Sequence, residues 1–338
     1  MQIKTITLFA SLLFVMMMVA CNNEGNTSQQ EIHLTGNPTI DKLSQEIAQM
    51  PNNPGLYAQR ATVFYENEGF DEAIEDMKKA IQLDSTNAGF YHLLADIYLD
   101  YFKSKKALET MEHVAAMYPD SIPTLLKLTE YYHILTMYKE SLGTIDKILR
   151  IDPQNAEAFF MSGVNFKDLG DRNRAINSFQ KAVEYDPDLL DAWINLGQLY
   201  AEIDPAMARK FFDTAMDIDP DDPLVLHAKA DFLRDQDDIK GALALYRRIG
   251  AIDQQYEEAF FNAGLMYMEL DSVEQAKKMF DITIGVDPVH AKAYFFRGVA
   301  FEALGDIDQA RKNYVQALTF KPDYQMAIDK LKKLQPAQ

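Results

Sequence analysis

The chain has 338 residues, of which 33 are Lys or Arg and 51 are Asp or Glu, for a formal charge of −18 at pH 7. Such an acidic balance argues against nucleic-acid partners, because a duplex binder must neutralise phosphates with cations. One cysteine excludes a disulfide framework or a cysteine zinc site within the chain, and an apolar share of 48% is that of an ordinary folded protein.

Lys4 gives a positive start, and Ile6 to Ala20 form an apolar run interrupted by Thr7 and Ser11. About fifteen residues fall short of the ~20 needed to cross a bilayer, so the run reads as the apolar region of a signal peptide, residues 1–20. It ends Met18-Val19-Ala20-Cys21, which resembles a bacterial lipoprotein lipobox with Met18 where Leu is usual. The resemblance implies that Cys21 is lipidated and anchors the mature chain. Asn22, in place of the Asp that retains lipoproteins in the inner membrane, favours the outer membrane and its periplasmic face. A plain secretory signal with an incidental cysteine, or an uncleaved anchor, are the other readings. The polar stretch that follows completes residues 21–37, the lipidated cysteine and an expected flexible tether spanning roughly 22 Å r.m.s..

From residue 54 onward the chemistry repeats every 34 residues. Place 8 of the unit holds Ala61, Ala95, Thr129, Gly163, Gly197, Ala230, Gly264 and Gly298, and place 20 holds Ala or Ser throughout, from Ala73 to Ala310. Large residues recur at places 4, 11 and 24, for example Phe159, Phe166 and Phe179, and proline closes most units at place 32. Places 4, 7–8 and 11 share one helical face and places 20, 24 and 27 another, so each unit predicts two helices whose small residues allow close approach.

This pattern resembles the tetratricopeptide repeat. The resemblance implies an all-α, right-handed α-solenoid of eight helix pairs over 54–87, 88–121, 122–155, 156–189, 190–222, 223–256, 257–290 and 291–324. An N-terminal capping helix over Thr39–Met50 and a closing helix at 325–334 would cover the ends of a single array, 38–334. The fifth unit is one residue short between Tyr200 and Ala208, which predicts a different turn there.

The same resemblance implies a concave groove lined by the first helix of each unit, at places 2, 5, 9, 12 and 13. An acidic ladder runs through Glu66, Asp96, Asp100, Glu130, Asp168, Glu202, Asp235 and Glu269. Its place-13 members sit in the last helical turn, where the dipole disfavours a carboxylate by up to ~1 kcal/mol. A basic or polar partner segment would explain them, and so would a solvated acidic face. Phe160, Ile194, Phe261 and Phe295 are unexpected at place 5, and with Phe296, Leu265, Val299 and Met268 they predict an apolar patch in the groove of the last two units; the alternative is that the superhelix or the C-terminal helix covers it. The resemblance also implies that Asn195 and Asn262 at place 6 hold a bound peptide backbone, though the other units lack Asn there and no continuous ladder exists. The carboxylate clamp of chaperone-binding relatives is absent, since Lys292 is followed by Phe295, Phe296 and Val299.

His92, His133, Asp96 and Glu130 are the best metal-ligand set, but about 10 Å of helix rise separates the two histidines' places, so no metal or other cofactor is expected. No Gly-rich phosphate loop, HExxH or GxSxG occurs. Asp221-Asp222 and Asp237-Asp238 sit where helix caps want acids. The expectation is therefore a non-catalytic, lipid-anchored envelope adaptor or scaffold that binds another envelope protein or peptide, in envelope assembly, secretion or cell-wall remodelling. The alternative is a small-ligand or glycan receptor using the groove aromatics.

Overall fold

A computed structural model describes residues 35–334, so the signal peptide, Cys21 and most of the tether lie outside the described residues. Among the described residues there are eighteen helices and no strand, and no helix is long and apolar enough to cross a membrane. The chain divides into two compact units between Val114 and Ala115. The first contains α1 (Pro38–Gln49), α2 (Pro54–Glu66), α3 (Phe70–Leu83), α4 (Ala88–Asp100) and the start of α5 (Ser104–Met117). The second contains the hairpins α6 (Ile122–Ile134) with α7 (Tyr138–Ile151), α8 (Ala156–Asp168) with α9 (Arg172–Tyr185), and α10 (Leu190–Tyr200) with α11 (Pro205–Ile218). It continues through α12 (Pro223–Asp235) with α13 (Ile239–Ile252), α14 (Glu257–Glu269) with α15 (Val273–Val286), and α16 (Ala291–Ala303) with α17 (Ile307–Phe320), and closes with α18 (Gln325–Lys333). Every first helix starts at the first residue of its repeat, and within each unit consecutive helices such as α2 with α3, α8 with α9 and α16 with α17 pack on one another, so the fold is an α-solenoid.

The small residues do what their spacing implies. Ala61, Ala95, Ala107, Ala175, Ala208 and Ala230 are wholly buried. Where place 24 is a ring, place 8 usually loses its Cβ: a methyl on Gly163 would meet Phe179 at 2.6 Å, and one on Gly197 would meet Phe212 at 2.7 Å. In the first unit the buried pairs are Ala61 with Met77 and Ala95 with Met111, and the thinner side chains leave room for the methyl. The place-4 residues Tyr57, Tyr91, Trp193 and Tyr294 each donate to a carbonyl six residues earlier, tying the first helix to the turn before it.

The first helix, α1, is stitched on by Arg60, whose Nε and Nη2 each lie 2.7 Å from the Asp76 carboxylate while Nη1 reaches Ser44 Oγ at 2.8 Å. At the other end Arg311 donates to the Leu334 carbonyl and Lys330 reaches Glu302 at 3.0 Å, holding α18 in place. Asp222 and Asp238 cap α12 and α13 through backbone N–H groups, which accounts for the paired acids read in the sequence.

Seven of the eight turns inside the hairpins pass through a left-handed residue: Glu68, Phe102, Thr136, Gly170, Asp237, Asp271 and Gly305. Each has the paired capping bonds of a Schellman turn, such as Gly69 N–H to the Phe64 carbonyl at 2.8 Å. Only two of the seven are glycine. The short fifth unit dispenses with this residue: Asp204 N–H bonds the Tyr200 carbonyl at 2.8 Å, and the Asp204 carboxylate then caps α11.

A left-handed L-residue costs ~1–2 kcal/mol, and the unfolded freedom of glycine returns ~0.5–1 kcal/mol of that. Thr136→Gly is expected to raise unfolding stability by about 0.5–1 kcal/mol and Gly305→Thr to lower it similarly, read as opposite shifts of the urea midpoint. Gly264→Ala, which puts a methyl 2.5 Å from the Phe280 ring, is expected to destabilise by about 1–3 kcal/mol; an unchanged midpoint would mean that α14 and α15 do not approach this closely.

Candidate interaction face

The six place-13 carboxylates, Glu66, Asp100, Asp168, Glu202, Asp235 and Glu269, are all exposed. Glu66 and Glu269 make no ion pair among the described residues. In the first unit the Tyr65 hydroxyl donates to Asp100. In the second, Asp168 lies 3.4 Å from His133 Nε2, Glu202 pairs with Arg172 at 2.7 Å, and Asp235 pairs with Arg234 at 3.0 Å. Of the two place-9 members, Asp96 is half-buried and Glu130 is exposed. Part of the ladder is thus neutralised by the chain itself, through Tyr65, His133, Arg172 and Arg234.

A polar cluster stands beside it on α12 and α13. Asp231 accepts from Tyr246 Oη at 2.5 Å and from Arg234 Nη1 at 2.7 Å, and His227 Nε2 lies 3.4 Å away. Burial works to raise the Asp231 carboxyl, but the bonds from His227 and Tyr246 and the charges of His227 and Arg234 outweigh it and hold the group below its usual value. The Tyr246 phenol is pushed far up, first by burial and then by the carboxylate it faces. His227 Nδ1 is buried without a hydrogen-bond partner. Arg234 does temper the ladder. Lys167 also feels the charge of Asp168, but its ammonium donates to Asn195 Oδ1 at 2.7 Å and Gln198 Oε1 at 3.1 Å, joining α8 to α10, and desolvation, the larger effect, lowers its pKa. Asn195 is therefore already engaged, with Nδ2 on the Asp191 carbonyl, whereas Asn262 is half-buried.

The expected open apolar patch is corrected. Phe295 is 2% and Ile194 8% exposed, so both belong to the core. Phe160, Phe261, Leu265, Met268, Phe296 and Val299 are half-buried. Ile194 belongs to the core cluster that holds Phe212, Val225 and Leu226, and in the last three units the cause is the residue at place 34, just before the next hairpin. Where that place is a ring it lies over place 5: Tyr256 on His227 at 5.6 Å, His290 on Phe261 at 4.9 Å, and Tyr324 on Phe295 at 5.0 Å. Phe296 fills the remaining space, 5.8 Å from Phe261 and 5.1 Å from Phe295. The signal was present in the sequence, since these three units replace the usual capping Asn or Asp with an aromatic residue.

Among the described residues no group of three or more His, Cys, Asp or Glu could hold a metal ion. The arrangement offers charged and amide groups along a helical face, which suits recognition of another chain.

The helix pairs and their 34-residue spacing are those of an α-solenoid similar to tetratricopeptide-repeat structures. Models described as tetratricopeptide or TPR repeats match residues 54–87, 163–204 and 261–324. The chain is 21% identical over 194 residues to human protein O-mannosyl-transferase TMTC1, covering 56% of this chain and 22% of that protein. It therefore spans about a fifth of that relative's length. The crystal structure of the APC/C hetero-tetramer Cut9-Hcn1 superposes with a TM-score of 0.55 at 16% identity, covering 88% of this chain and 62% of that one. The structure of PilW, a type IV pilus biogenesis factor, superposes at 0.53 with 21% identity, covering 62% and 96%.

Two titrations check these environments. A carboxyl depressed in the fold stabilises it above the unfolded value, and that contribution is lost as pH falls through the folded value. Asp231→Asn is thus expected to destabilise at pH 7, with the gap to wild type closing as pH drops below 3.8. The Tyr65 phenol, pushed up to about 12 by burial and then by Asp100, is expected to ionise there by ultraviolet absorption, and Asp100→Asn to bring it part of the way back towards 10.

Proposed function

We propose that the protein is a lipid-anchored adaptor of the cell envelope, acting by binding rather than catalysis, that holds a basic segment of another envelope protein along its first-helix face. The observation that carries this is the set of exposed place-13 carboxylates. Each sits at or just beyond the end of a first helix, where the dipole opposes it, and a cationic partner would relieve that cost. The lipobox-like Met18-Val19-Ala20-Cys21 supports attachment to a membrane, with the outer membrane and its periplasmic face favoured by Asn22. Envelope assembly, secretion or cell-wall remodelling are the settings in which such an adaptor serves. The glycan-receptor reading has no comparable support, because rings of the chain itself lie against Phe160, Phe261 and Phe296.

The test is binding of a basic peptide array to the membrane-bound protein, with Asp168→Asn, Glu202→Gln, Asp235→Asn and Glu269→Gln combined. Salt-sensitive binding that the fourfold variant loses by tenfold or more, at roughly 0.5–1 kcal/mol per exposed charge pair, supports the reading. Binding indifferent to both salt and the variant would sink it. Cys21→Ser is expected to release the protein from membranes, and retention would argue against lipidation.

A further inference from the structure

The turn between α4 and α5 in the first unit reads Tyr101-Phe102-Lys103-Ser104-Lys105-Lys106. Phe102 is 93% exposed, more than any other large apolar residue described, and it is held at a φ of +56°. Glycine stands at this place in two other hairpins and would cost nothing there. Exposure and backbone strain therefore fall on one residue whose ring contributes no packing to the fold.

The ring is presented on a fixed base. Tyr101 stacks on Phe70 at 5.0 Å and 9°, and its hydroxyl donates to Asp71 at 3.1 Å. Lys103 Nζ sits 3.7 Å from the centre of the Tyr101 ring and 3.6 Å from Asp71. Beyond it, the Lys105 side chain is 89% exposed and touches Glu109 at 3.8 Å, while Lys106 lies 5.6 Å from the Tyr98 ring. In a chain of charge −18, no other hairpin turn carries three lysines within four residues.

We propose that this turn is a membrane-contact site, in which Phe102 enters the interface of an anionic bilayer and Lys103, Lys105 and Lys106 meet the lipid phosphates. The proposal rests on the lipid-anchored reading above. An aromatic ring is favoured at headgroup depth, and lysines near an anionic surface are attracted while their stems remain in apolar surroundings. A protein pocket fits less well, because lysine is depleted at protein interfaces. Reach is sufficient: the fourteen steps from Cys21 to Thr35 span at most about 50 Å when extended, so a lipid on Cys21 keeps the first unit near the surface.

The test uses the full mature chain on vesicles containing phosphatidylglycerol and brominated lipid. Trp193 is the only tryptophan, and other repeats carry Phe159 and Phe260 at its place, so Trp193→Phe supplies a silent background. In it, Phe102→Trp is expected to give blue-shifted emission quenched by the brominated lipid. Leu169→Trp, at a hairpin turn of the second unit, is expected to stay unquenched. Lys105→Gln with Lys106→Gln should lower the inserted-to-withdrawn ratio roughly fivefold per lysine, as should raised salt to a similar degree. Vesicle-bound protein whose indole at position 102 stays unquenched would overturn the contact site and leave the anchor standing. Protein that remains in solution, with that indole unquenched, would overturn both. Equal quenching of the indoles at positions 102 and 169 would show unspecific burial and overturn the site as well.

Discussion

How closely the two helices of a hairpin approach governs the rest of this structure. A residue without Cβ, or with a single methyl, at place 8 lets the place-24 side chain of the facing helix lie against the backbone. The exchange is volumetric: rings against glycine in most of the second unit, methionine against alanine in the first. Because interiors are packed near crystal density, a hairpin cannot change one partner alone, and the pairing recurs along the chain.

The same packing explains what became of the apolar face. A place-5 residue looks towards open space only if nothing follows from the next hairpin. In the last three repeats Tyr256, His290 and Tyr324 do follow, each laying a ring over its predecessor's place-5 side chain. His290 manages both tasks, since its Nδ1 also accepts from Ala293 N–H and caps α16. The aromatic residues thus join hairpin to hairpin.

Charge is organised by the helix ends. The place-13 carboxylates sit where carbonyl dipoles make them unwelcome, and the chain answers several of them with His133, Arg172 or Arg234. The residual acidity is what a partner would read. The basic turn after α4 has the opposite sign and an exposed ring, which sets it apart from every other hairpin tip described.

Helix pairs, their start points and the odd fifth turn were legible in the sequence, because each depends on residues a few places apart: the small-to-large spacing, the proline at place 32, and the missing residue before Pro205. The exposure of the place-13 carboxylates was legible for the same reason, since it follows from helical phase alone. The burial of Ile194 and Phe295, the capture of Asn195 by Lys167 and the pairing of Glu202 with Arg172 were not. Those depend on which side chain arrives from another helix, about thirty residues away, and at what distance. Periodicity states which face a residue occupies; only the packed structure decides whether that face is met by solvent or by the next ring.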